Sequence, residues 1–112
     1  MKLAWLTDVH LNFLDADERK KFYQEIINTK CDGVLISGDI AEAPSIKNIL
    51  TAFATLIKKP IYYILGNHDF YRGQIDAVRN EMTALTEYNE YLFWLPASKV
   101  MQLVLFPFNF DM

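Results

Sequence analysis

Six residues in three short stretches carry side chains suited to holding a cation and moving a proton. They are Asp8 and His10 in "TDVHLN", Asp39 in "SGDIAE", and Asn67, His68 and Asp69 in "GNHD". Asp8 is a hard anionic ligand and His10 offers an imidazole nitrogen. In an extended segment their spacing points both side chains the same way. Asp39 has two carboxylate oxygens and can bridge two cations at the roughly 3.5–4 Å separation typical of two-metal hydrolytic centres. Asn67 adds a neutral amide oxygen. Mixed carboxylate, imidazole and amide donors suit Mn, Fe or Zn better than a thiolate-seeking ion. His68 is free to stay off the metal and act on a proton, with Asp69 beside it to orient the ring. Gly38 and Gly66 each precede a polar residue and let the backbone turn tightly with no Cβ in the way of an ion or phosphate.

These side chains act together only if the fold brings the three stretches to one edge. "KLAWLT" is a short apolar run bounded by Asp8, which predicts a buried strand. Asp15 with Glu18 three residues on predicts a capped helix start, and Phe22, Tyr23, Ile26 and Ile27 repeat at helical spacing to about Thr29. A turn at Asp32-Gly33 leads into a second strand, Val34 to Ile36. Ile46, Ile49, Leu50, Phe53, Leu56 and Ile57 then mark the clearest helix, preceded by Pro44 and stopped by Pro60. "PIYYIL" is a third strand, and Ile75, Val78, Met82 and Leu85 mark a third helix. Beyond "EYNEYLFWLP" the pattern weakens, and "VMQLVLFPFNFDM" reads as a strand with a Phe-rich tail.

The alternation predicts an α/β fold, a βαβαβ parallel sheet with flanking helices and right-handed crossovers. In such sheets the loops at the carboxyl ends of the strands form the ligand crevice. All three polar stretches follow a predicted strand. Adjacent strands lie about 4.8 Å apart, so Asp8, Asp39 and Asn67 can converge.

The chain has 112 residues, enough for one small domain. With 52% hydrophobic and 22% charged residues it is globular rather than disordered. A formal net charge of -3 gives no general affinity for polyanions, although a bound cation can supply the field for a phosphorylated substrate. Cys31 is the single cysteine, so no internal disulfide forms, and the expected role is a small buried hydrophobe. No apolar run is long enough for a membrane span or a signal peptide core, and a cytoplasmic location is expected. No Gly-rich loop follows the first strand, which argues against a Rossmann dinucleotide site.

"Asp8-x-His10", "Gly38-Asp39-x-x-Glu42" and "Gly66-Asn67-His68-Asp69" resemble, in order and spacing, the first three motifs of the calcineurin-like metallophosphoesterases. The resemblance runs from about Lys2 to Asp69. It implies a metal-dependent hydrolase of phosphate mono- or diesters with a dinuclear centre. By resemblance, Asp8, His10 and Asp39 hold the first metal, and Asp39 and Asn67 the second. His68 contacts the phosphate or protonates the leaving group. Glu42 occupies a motif position but is expected only to favour the positive end of a helix. The family fold is a two-sheet sandwich, and the chain is expected to be a single partial domain over 1–112. It corresponds to the first half of that sandwich, with the motifs in 1–72 and an uncertain tail over 97–112. The family's later Gly-His-x-His motif has no counterpart, since His10 and His68 are the two histidines. The resemblance therefore implies two divalent ions in the family and one or none here.

Rival readings remain side by side. The chain is a phosphoesterase acting on a phosphate ester, with nucleic acid among the candidate substrates. Alternatively it is a catalytically inactive, truncated remnant that binds at most one ion. A third reading has it docking a partner, or a second copy of itself, over an uncovered sheet face. Tyr71 and Arg72 can reach a phosphate, but solvent-facing or core roles are expected for both, and packing roles for the Tyr62-Tyr63 and Phe93-Trp94 pairs.

Overall fold

A computed structural model describes residues 2–97. Four strands, β1 (Leu3–Leu6), β2 (Gly33–Ile36), β3 (Ile61–Tyr63) and β4 (Leu92–Trp94), form one all-parallel sheet in the order β1-β2-β3-β4. Between them run α1 (Ala16–Asn28), α2 (Ala43–Ile57) and α3 (Ile75–Tyr88). The expected α/β class and the three expected strands are present. The fourth strand is an addition to the expected βαβαβ unit. The strand anticipated in the tail lies outside the described residues.

Local chemistry explains the elements. Asp15 caps α1 through a complete capping box: its carboxylate accepts from the Glu18 amide at 2.8 Å, and the Glu18 carboxylate accepts from the Asp15 amide at 3.1 Å. Glu42 is the N-cap residue of α2. Pro44 therefore lies inside the first turn of α2 rather than before the helix, where its missing N–H would have no intrahelical partner anyway. Lys58 ends α2 in the left-handed conformation, two residues ahead of Pro60.

The strand order is sequential, so every crossover steps the same way. Right-handed connections then place all the helices on one face of the sheet. Side-chain contacts agree. Tyr63 of β3 donates its hydroxyl to Met82 of α3 at 3.5 Å, and Arg79 of α3 covers the Trp94 ring of β4 at 4.9 Å. Tyr23 of α1 stacks on Phe53 of α2 with ring centroids 4.4 Å apart, a geometry worth about 0.5–1.5 kcal/mol beyond the area it buries. Val34, Ile36, Ile61, Tyr63 and Leu92 are completely buried on this face.

The opposite face carries the register row Trp5–Leu35–Tyr62–Phe93 across all four strands. Tyr62 and Phe93 stack at 5.2 Å, one member from each of the two aromatic pairs expected to pack, while Trp5 at the β1 edge stays 70% exposed. Cys31 is free and buried as expected. Among the described residues no helix is long and apolar enough to cross a membrane.

Candidate metal centre

The loops that follow β1, β2 and β3 are hydrogen-bonded to one another, the first two through the main chain. Beyond the strand ends, the amides of Asp8, His10 and Leu11 donate to the carbonyls of Gly38, Asp39 and Ile40 at 3.2, 3.1 and 2.7 Å. The third loop joins through two carboxylates. Asp39 Oδ1 accepts from the His68 amide at 2.9 Å. Asp69 Oδ1 accepts from the amides of Ile40 and Ala41, each at 2.8 Å, and Asp69 Oδ2 accepts from Gly66 at 2.8 Å.

"GNHD" owes its three roles to a short 3-10 turn over Asn67–Phe70. With about three residues per turn, successive side chains leave the axis in three directions. Asn67 faces solvent, His68 faces the loops after β1 and β2, and Asp69 enters the interior with no exposed surface. The orientation expected of Asp69 toward the His68 ring is not among its hydrogen bonds, which all go to backbone amides. Burial pushes the Asp69 carboxyl up, against the pull of the amides of Ala41, Gly66, Ile40 and Asp39.

His10, Asp39 and His68 each bring a ligand atom to within 4.8 Å of the others. The two imidazoles meet edge to face at 5.0 Å and 89°. His68 Nδ1 lies 3.3 Å from Asp39 Oδ1, close enough for an ion pair, yet it is buried and has no hydrogen-bond partner. Burial tends to raise the Asp39 carboxyl, but the His68 amide, the adjoining Asp8 carboxyl and the His68 ring outweigh it and hold it below the usual range. Asp8 is exposed, its Oδ2 accepting from Thr7 Oγ1 at 3.0 Å. Asp8 thus borders the three-residue cluster rather than belonging to it, and His68, expected to stand apart from the ligands, lies within it.

Backbone strain concentrates here. Asp8, His10 and Asp39 have φ of 51°, 45° and 52°, and Arg72, just beyond, has 64°. Non-glycine residues held there cost on the order of 1–3 kcal/mol each and persist only where their surroundings fix them. Gly66 is required sterically, since a Cβ there would stand 2.3 Å from Asp39 Oδ1 and 2.8 Å from the Asp39 amide nitrogen. A cavity of about 620 Å³ lined by Lys58, Tyr88 and Glu90 opens at the other edge of the sheet, beside the start of β3, far from this cluster.

The family model for calcineurin-like phosphoesterases matches residues 1–109. The chain belongs to the calcineurin-like phosphoesterase family. No curated protein matches it. Membership implies use of a divalent cation, and the residues present fit one. A buried imidazole nitrogen lacks a partner, a carboxylate is held in its anionic form, and a glycine leaves the space beside it open. Two imidazoles and a carboxylate form a donor set matched to Mn, Fe or Zn. Glu42 lies outside this cluster. It holds the N-cap position of α2 without a capping hydrogen bond from its side chain, which pairs instead with Arg72 at 3.6 Å. Sequence reasoning offered Tyr71, which lies against His68, as able to reach a phosphate, but missed Phe13, which lies against His10.

Proposed function

We propose that this calcineurin-like phosphoesterase hydrolyses phosphate mono- or diesters with a divalent ion held by His10, Asp39 and the adjoining Asp8. A second, weaker position would lie at Asp39 and Asn67. The observation that carries the reading is the convergence of His10, Asp39 and His68 at the carboxyl ends of three adjacent parallel strands. A bound cation supplies Lewis-acid stabilisation of phosphoryl charge and lowers the pKa of a water molecule. The chain's own groups do the rest. Asp39, kept ionised, holds the ion position and fixes the third loop through the His68 amide. His68 stands beside it with Nδ1 turned toward Asp39 and the rest of its ring half-exposed, placed to bind a phosphoryl oxygen or deliver a proton to the departing oxygen.

The test is hydrolysis of a nitrophenyl phosphate diester with added Mn2+. Removing an outer partner of a metal ligand costs about 10–100-fold, so Asp39→Ala should cost at least the upper end of that range. Turnover that is independent of metal, or unaffected by Asp39→Ala, refutes the proposal. A second reading has its own support. Among the described residues this is the single cluster of three or more His, Cys, Asp or Glu side chains placed to hold an ion. On that reading the chain binds one equivalent of metal without turnover. Elemental analysis beside the same assay separates the two.

A further inference from the structure

Among the described residues, seven large apolar side chains stand well exposed, and two of them, Phe13 at 74% and Tyr71 at 50%, touch the metal-competent imidazoles. The Phe13 and His10 ring centroids are 5.6 Å apart, those of His10 and His68 5.0 Å, and those of His68 and Tyr71 4.6 Å. The result is an unbroken row of four rings, with the candidate ligands in the middle and an open aromatic ring at each end.

Both end rings stand on fixed backbone. Phe13 closes a 3-10 turn whose first residue, Leu11, is only 1% exposed, and its amide donates to the His10 carbonyl at 3.0 Å. The Tyr71 amide donates to the His68 carbonyl, and its own carbonyl accepts from Ala43 at the start of α2, both at 3.1 Å. Shielding of the imidazoles does not account for rings left this open. An ester substituent that ran along this row from a phosphate seated at the cluster would meet Phe13 or Tyr71. A flat aromatic substituent can stack there, whereas an aliphatic one covers the ring poorly.

We propose that Phe13 and Tyr71 are specificity-determining residues that select phosphate esters carrying a flat aromatic group over those of aliphatic alcohols. The inference rests on the phosphoesterase reading of the centre. The probes are two matched pairs, adenosine monophosphate with ribose phosphate and phenyl phosphate with butyl phosphate. Each is titrated calorimetrically into the Mn2+-supplemented full chain. Base–aromatic stacking corresponds to a preference of roughly 5- to 150-fold, so the aromatic member of at least one pair should bind about tenfold tighter. Preference in both pairs identifies the ring itself, and in the first pair alone a nucleobase. Phe13→Leu and Tyr71→Leu keep apolar bulk without a π face, and together they should bring the ratio toward one, with melting temperature reporting that both variants fold. Equal affinities within both pairs, no binding of any probe, or a ratio unmoved by both substitutions overturns the proposal. Ratios that hold without turnover refute only the catalytic reading, and turnover with equal ratios refutes only the selectivity.

Discussion

Asp69→Asn separates a structural role for this carboxylate from a catalytic one. In the protein, Asp69 Oδ1 takes the amides of Ile40 and Ala41 and Oδ2 takes that of Gly66, all at 2.8 Å. Asparagine can keep one oxygen on Ile40 and Ala41, but its amide nitrogen then faces the Gly66 N–H, donor against donor. Hydrogen bonds to a charged group contribute about 1.5–3 kcal/mol and neutral ones about 0.5–1.5, so two retained bonds lose about 1 kcal/mol each. A donor left without a partner costs a further 1–3 kcal/mol or so. Against this, the neutral side chain escapes the burial penalty that raises the Asp69 carboxyl. The net expectation is a loss of about 2–4 kcal/mol, within the 5–15 kcal/mol that holds typical domains together, so the variant folds. At about 4–8 °C per kcal/mol for a domain of this size, the melting temperature should fall by roughly 8–32 °C. Thermal denaturation followed by circular dichroism measures it, alongside turnover below the transition. A melting temperature within a few degrees of wild type, combined with turnover as low as that of His68→Ala, would show that Asp69 acts on the His68 ring and refute the structural assignment.

Two further outcomes follow from the same loops. Gly66→Ala drives a Cβ against the Asp39 carboxylate and amide, so it should destabilise by about 1–3 kcal/mol, as overpacking does, and lower Mn2+ affinity more than Gly33→Ala, a glycine remote from the cluster; equal metal affinities would contradict it. The two acids should also bend the pH profile of stability in opposite senses. Asp39, held low, stabilises the fold above the ordinary carboxylate range and loses that as pH falls through its depressed value. Asp69, pushed up, favours the fold below that range and loses that as pH rises through its raised value. Asp39→Asn should therefore flatten the acid-side fall of melting temperature in metal-free buffer and Asp69→Asn steepen it; a change of the same sign in both would be the contrary result.

Much of the frame is legible because its signals are local. The Asp15–Glu18 box and the apolar stripe from Ile46 to Ile57 each fit within one element, and both appear where the spacing puts them. β4 escapes because three residues, Leu92–Trp94, are too few to show a period, and its burial depends on pairing with β3. Ile75 continues the apolar spacing of α3 yet, at its first helical position, is 62% exposed. At the site, residue types and strand ends were readable, but partnerships were not. Adjacency in the chain suggests that Asp69 serves His68, whereas two of its amide partners lie 28 and 29 residues away. Tyr71 follows the third motif and left phosphate, solvent-facing and core roles open in sequence, while Phe13 carries no local signal at all, and the tertiary fold sets both beside the imidazoles.

The strained residues and the loop-to-loop hydrogen bonds belong to one device. Left-handed φ at Asp8, His10 and Asp39 turns the chain as it leaves β1 and β2, and such conformations relax unless neighbours hold them. The holding groups sit on the other loops: the carbonyls of Gly38 and Asp39 hold the first loop, and Asp69 of the third holds Ile40 and Ala41 of the second. Each of the three loops is thus tied to a neighbouring one as well as to itself. A change in Asp69 therefore reaches His10 without touching it, through Ile40 and the Leu11 amide bonded to its carbonyl. The aim of the imidazoles is thus set by a carboxylate that never faces the ligand space, and for that reason the centre should loosen as a unit rather than one residue at a time.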